Sequence, residues 1–205
     1  IDLYNYFKDS LTIKTNNYLN RSLSYFLTVP MGHYFPLRNN NNSSIYESMN
    51  LINSYSIKNN INRVSNIFES DKNHGLEILE KLKIPKNAWY VLLHVRDGST
   101  YNDFTRQSHR NANINDYIIS IESIIKKGGY VIRVGDSNMP KLPKIKNLID
   151  YAHSNYKSQK MDIFLAATCK FLIGTSSGFW ALNHMFGTPV LMTNCLFTHN
   201  YFALN

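Results

Sequence analysis

The chain has 205 residues, 43% of them hydrophobic, and a formal net charge of +8. That length buries one good core and part of another, and the charge calls for an anionic partner, whether nucleic acid, a membrane surface or a phosphorylated small molecule. The lysines are scattered, with no Arg-rich helix and no RNA-binding signature, which argues against nucleic acid, and no apolar run approaches the roughly 20 residues that span a bilayer.

The first 58 or so residues are rich in Asn, Tyr and Ser and hold only short apolar patches. Residues 28–34 read as a strand and turn and residues 45–52 as a short helix, with the run Asn39 to Ser44 between them as a surface loop or linker. Leu76, Ile78, Leu79 and Leu82 follow a helical spacing within residues 69–82, and Pro85 closes that helix. Beyond it, apolar runs alternate with helical periods. Residues 89–95, 130–134, 170–173 and 190–192 read as buried strands, and residues 114–127, 161–168 and 177–186 as helices. Gly128 and Gly129 stand where a helix C-cap is expected. Strands this apolar, separated by helices, predict an α/β fold with a parallel sheet covered on both faces. Cys169 and Cys195 lack paired spacing and read as reduced thiols of a cytoplasmic protein, with no zinc. The chain begins at Ile1 and ends shortly after a strand-like run, so a fragment of a longer protein is expected.

Ligands of such sheets gather at the carboxyl ends of the strands, and three of those ends are polar. The first carries His94, Arg96 and Asp97; alternation puts His94 and Arg96 on one face and Asp97 on the other. Arg96 can clamp a phosphate with its planar fork, or close the sheet through an ion pair with Asp97, Asp103 or Asp136. His94 reads equally as a hydrogen-bonded core residue. The second end carries Arg133, Gly135 and Asp136, where glycine admits close approach and the carboxylate accepts from a ribose or an Arg, or simply caps a turn. The third is the turn Gly174, Thr175, Ser176, Ser177 and Gly178 ahead of a helix, suited to a diphosphate and equally to an N-capped turn. It is neither a Walker loop nor a dinucleotide fingerprint, since no Lys follows its glycines and the Gly-x-Gly-x-x-Gly spacing is missing. The polar loop after the first strand adds Tyr101, Arg106 and Arg110, which can meet a base and a pyrophosphate or stay solvated, and Asp162 reads first as a helix N-terminal acid.

Taken in order, His94 to Asp97, Tyr130 to Asp136, Asp150 to His153, Asp162 to Leu165, Phe171 to Gly178 and Phe186 to Pro189 resemble a family of bacterial glycosyltransferases of surface-polysaccharide loci. The order is similar, more distantly, to the donor-binding half of the fucosyltransferase superfamily. The resemblance implies a GT-B architecture. Residues 1–60 would then be a partial acceptor-side region and linker, and residues 61–205 a Rossmann-like nucleotide-sugar-binding domain, truncated or complete at its C-terminus. It also implies that Arg96 contacts the donor diphosphate and that Ser176 and Ser177 lie at the phosphates.

The expected activity is metal-independent transfer of a sugar from a nucleotide diphosphate donor to a glycan or lipid-linked acceptor. The catalytic residues are expected to be Arg96 and His94, and the donor-binding residues Gly174, Thr175, Ser176, Ser177, Gly178, Arg133, Gly135, Asp136 and Arg106. No metal or other cofactor and no nucleic acid is expected; contact with the inner membrane would be peripheral. A non-catalytic nucleotide- or glycan-binding module derived from such a transferase is the alternative.

Overall fold

Five parallel strands form one sheet, in the order β3-β2-β1-β4-β5. They are β1 (Tyr90–His94), β2 (Tyr130–Arg133), β3 (Leu148–Asp150), β4 (Leu172–Thr175) and β5 (Val190–Thr193). The computed structural model describes residues 54, 56–63, 65–99 and 108–195, with the backbone alone at 35–36 and 42–43, where Phe35–Pro36 pairs antiparallel with Asn42–Ser43. One compact unit, Ile67–Leu196, holds the whole parallel sheet. The strand and turn expected at 28–34, the helix expected at 45–52 and the loop residues Tyr101, Asp103 and Arg106 lie outside the described residues.

Alternation along β1 divides two cores. Tyr90 and Leu92 face a cluster with Ile78, Leu79, Phe164 and Leu165, carried by α1 (Glu69–Lys81) and α3 (Gln159–Thr168). Val91 and Leu93 face the opposite cluster with Tyr117, Ile121 and Ile124, the last two from α2 (Ile118–Lys126). Leu92, Val91 and Ile132 are fully inaccessible, so each side chain contributes the roughly 1.5–3 kcal/mol of complete apolar burial.

Residues 114–127 are expected to form one helix, but Ile114–Tyr117 is a 3-10 turn and the α-helix starts at Ile118. Asn113 explains this: its side chain accepts the Asn115 amide, and Asn115 and Asp116 compete for the backbone that an α-helical first turn would use. At the other end of α2, Gly128 has φ +82° and its amide bonds the Ile125 carbonyl at 2.9 Å, as the expected glycine cap requires. The strand at 190–192 is expected to be buried, but β5 is the edge of the described sheet and Leu191 is 56% exposed.

The chain moves outward from β1 to β2 and β3, then crosses back through α3 to β4 on the other side of β1. α4 (Phe179–Met185) then leads to β5. This reversal makes the gap at the carboxyl ends of β1 and β4 the topological switch point, where loops on either side diverge and leave a crevice. Register places His94 beside Gly174, so the two polar ends meet there. No helix among the described residues is long and apolar enough to cross a membrane.

Candidate functional site

A cleft of about 660 Å³ opens over this switch point. Its walls come from the three polar strand ends: His94, Arg96, Asp97 and Gly98 after β1; Gly135, Asp136 and Met139 after β2; Ser177, Gly178 and Phe179 after β4. Arg110, Lys157 and Asp162 complete the lining. Three cations and three carboxylates therefore share one concavity, a polarised surface rather than a uniformly basic one.

The ends of β1 and β4 are stapled together. Arg96 donates its backbone N–H to Thr175 Oγ1 at 2.9 Å, and its carbonyl accepts the Ala112 amide at 2.8 Å. The Arg96 guanidinium donates from Nη1 to Asn111 Oδ1. With both backbone groups engaged, the 8%-exposed arginine is fixed against the cleft. Thr175 is fully buried and builds this wall instead of lining it, while Gly174 is held within the sheet, its carbonyl accepting from Thr193 Oγ1 at 3.3 Å.

His94 and Ser177 form the floor. Ser177 Oγ lies 3.1 Å from His94 Nδ1, and the Phe179 ring stacks on the imidazole at 5.5 Å between centroids and 10° between planes. Ser177 Oγ also accepts the Phe179 amide at 3.4 Å, so the serine is tied to the first residue of the following helix while it faces the cleft. Burial, reinforced by the nearby Arg133 charge, lowers His94 from 6.5 to about 4, which makes it a neutral hydrogen-bonding group near pH 7. Ser176 participates through its backbone: its carbonyl accepts from Arg110 Nε at 2.8 Å, which brings Arg110 to the cleft wall.

Gly135 has φ +135°, and a Cβ there would lie 2.6 Å from Met139 Sδ, so only glycine lets the chain turn beneath the cleft. Asp136 lines the cleft, and its Oδ1 accepts the Asn138 amide at 2.9 Å, which is the capped turn that competed with a ligand role in the sequence. Asp97 Oδ1 is likewise engaged by Ser99, at 2.7 Å from its hydroxyl.

Arg133 is placed differently from the other expected donor-binding residues. It is 2% exposed, pairs with Asp150 Oδ1 at 2.9 Å and donates to the Pro140 carbonyl at 2.7 Å, and it is not among the lining residues. The structure thus brings together His94, Arg96, Ser177, Gly178, Gly135 and Asp136; it sets Gly174, Thr175, Ser176 and Arg133 around them; Arg106 lies outside the described residues.

Asp162 is the residue whose place the sequence did not reveal. It stands in the first turn of α3, as expected of a helix acid, yet its Oδ1 is buried with no hydrogen-bond partner and the residue lines the cleft. Burial raises its carboxyl from 3.8 to about 6, only partly offset by the Tyr151 hydroxyl and by Lys157. Nothing in the sequence distinguishes this carboxylate from a solvated N-terminal acid, because its burial depends on where Tyr151 and Lys157 pack. Among the described residues, no group of three or more His, Cys, Asp or Glu side chains is arranged to hold a metal ion.

No protein-family model, curated protein or solved structure matches the chain.

Proposed function

We propose that the cleft binds the nucleoside diphosphate of a sugar donor and that the protein is a glycosyltransferase acting without a metal on a glycan or lipid-linked acceptor. The observation that carries this reading is the convergence of Arg96, His94 and Ser177 at the switch point of a parallel sheet, with Arg110 beside them. Arg96 and Arg110 supply the positive charge that a diphosphate needs, and Ser177 and the neutral His94 supply hydrogen bonds that carry no countercharge. The unpartnered Asp162 oxygen offers an acceptor for an N–H or hydroxyl of the nucleoside.

In the transfer, the bond between the sugar carbon and the diphosphate oxygen breaks and its electron pair leaves with the diphosphate. The acceptor hydroxyl oxygen bonds to that carbon and gives up its proton to water. Charge grows on the departing oxygens, so preorganised guanidinium groups at that point favour the transition state over the bound donor.

Calorimetric titration of the chain with GDP, UDP and the matching nucleosides tests the reading. Arg96→Ala should weaken diphosphate binding about 10- to 150-fold, the range for a lost charged hydrogen bond of about 1.5–3 kcal/mol, and leave nucleoside binding nearly unchanged. Equal losses for both ligands, or no diphosphate binding by the folded chain, would refute it. Binding without hydrolysis or transfer of any sugar donor would favour the non-catalytic module.

A further inference from the structure

The wall that follows β2 is a loop with little packing of its own. From Gly135 to Leu142 only Met139 is buried, and Ser137, Asn138 and Pro140 are exposed, yet Gly135, Asp136 and Met139 line the cleft. Inside the loop the Asp136 carbonyl accepts the Met139 amide at 3.3 Å and Asp136 Oδ1 accepts the Asn138 amide at 2.9 Å, contacts that shape a turn without fixing where the turn stands. Its place matters to the floor of the cleft. A Cβ on Gly135 would lie 3.6 Å from His94 Cδ2, so the loop starts against the imidazole.

An ion pair behind the wall supplies the missing ties. Arg133 and Asp150, register partners at the ends of β2 and β3, meet through Arg133 Nη1 and Asp150 Oδ1 at 2.9 Å. The second arm of the buried guanidinium, Nη2, donates to the Pro140 carbonyl at 2.7 Å, and Asp150 Oδ2 accepts the Leu142 amide at 3.0 Å. His153 adds a third tie: its Nε2 donates to the Ser137 carbonyl at 3.0 Å, since a carbonyl only accepts, and its Nδ1 lies 3.3 Å from Arg133 Nη1 and 2.9 Å from Asp150 Oδ2. Ser137, Pro140 and Leu142 are thus tied to side chains planted on or beside the sheet. After burial, the Arg133 charge is also the largest influence holding His94 neutral.

We propose that Arg133 and Asp150 are positioning residues for the cleft: their pairing behind the wall sets the stretch from Gly135 to Met139 against His94 and so shapes the cleft for its ligand. The planar fork of an arginine reaches a carboxylate and a carbonyl in two fixed directions at once, which a lysine ammonium does not. A buried ion pair gains little stability over apolar side chains of similar volume, so what this pair contributes is the place of the loop. Its effect on binding rests on the reading of the cleft as a nucleoside diphosphate site; its hold on the loop does not.

The double variant Arg133→Met/Asp150→Leu of the full chain separates position from stability, because it exchanges the ion pair for apolar groups. Amide hydrogen exchange should quicken about tenfold at Asn138 and Met139, whose own bonds the substitutions leave in place, relative to Leu92 in β1, which reports the sheet. GDP in calorimetric titration should bind about fivefold more weakly, the net worth of one hydrogen bond from the displaced loop. Arg133→Lys, which keeps the charge but not the fork, should move both readouts the same way by less, and it decides alone if the double variant does not fold. Unchanged exchange at Asn138 and Met139 relative to Leu92 overturns the clamp, and quickened exchange with unchanged GDP affinity overturns its part in binding. If the wild type binds no GDP, the reading of the cleft falls while exchange still decides the clamp.

Discussion

Asp162→Asn should stabilise the protein at neutral pH while weakening its cleft for ligand. The carboxyl is raised from 3.8 to about 6 chiefly by burial, so the fold prefers the protonated form. Well below pH 3.8 both folded and unfolded chains hold the proton and no penalty exists. As pH rises toward 6 the unfolded chain releases the proton first, and stability is lost until the folded carboxyl also ionises. The interval from 3.8 to about 6, at 1.36 kcal/mol per pH unit, sets an upper bound of about 3 kcal/mol on the loss at pH 7. The isosteric amide carries no charge to bury, and urea unfolding at pH 4 and pH 7 measures the difference. The variant should come within about 0.5 kcal/mol of the wild type at pH 4 and exceed it by about 1–3 kcal/mol at pH 7, and it should bind GDP more weakly as the carboxylate meets the nucleoside. A variant less stable than the wild type at pH 7 would show that the Asp162 oxygens are satisfied in solution, and the reasoning from an unpartnered buried oxygen would be refuted.

His94→Gln should reveal the opposite slope. Its folded form refuses the proton until about pH 4 whereas the unfolded chain takes it near 6.5, so acidification through that window costs the wild type up to about 3 kcal/mol; the variant, compared by unfolding at pH 4.5 and 7, should lose that dependence. Thr175→Val leaves the buried Arg96 amide without its acceptor and should cost about 1–3 kcal/mol in urea unfolding, with a parallel weakening of GDP binding as Arg96 loses its anchor. Leu92→Ala, at a fully inaccessible position between α1, α3 and the sheet, should cost about 2–5 kcal/mol in the same measurement without altering which nucleotides compete in binding.

The sequence carried the sheet because its strands are apolar on both faces: the stretch from Tyr90 to Leu93 has no polar residue to mark a solvent side, and only helices on both faces accommodate that. It carried Arg96, His94 and Ser177 because charged or polar groups at the ends of such strands have few structural reasons to be there. Three kinds of information were not legible. β3 is three residues long, too short for alternation to mark it as a strand. The role of Arg133 depends on Asp150 and Pro140, which approach it through the pairing of β2 with β3 and not through sequence spacing. Lys157 and Asp162 reach the cleft because α3 begins at the carboxyl edge of the sheet, and a Ser158-capped helix start looks the same when it faces solvent. In each case the missing quantity is a contact between elements, which periodicity does not encode.

Which buried polar groups face the cleft, and which do not, bears on function. At the amino edge Tyr90 is 4% exposed, and its hydroxyl is matched by Thr168 Oγ1 at 2.5 Å, which bonds onward to the Phe164 carbonyl at 2.6 Å. At the carboxyl edge His94 is held neutral, Asp162 is held less acidic than an ordinary carboxyl with an oxygen unmatched, and Arg96 presents a guanidinium to an open cleft. Burial opposes charge on both groups. Asn183 Oδ1, on the buried side chain that donates to the Ala166 carbonyl and to Cys169 Sγ, also lacks a partner, but Asn183 does not line the cleft. The Asp162 oxygen is the unmatched one that a ligand in the cleft could complete, which is why a stabilising substitution at position 162 should impair binding.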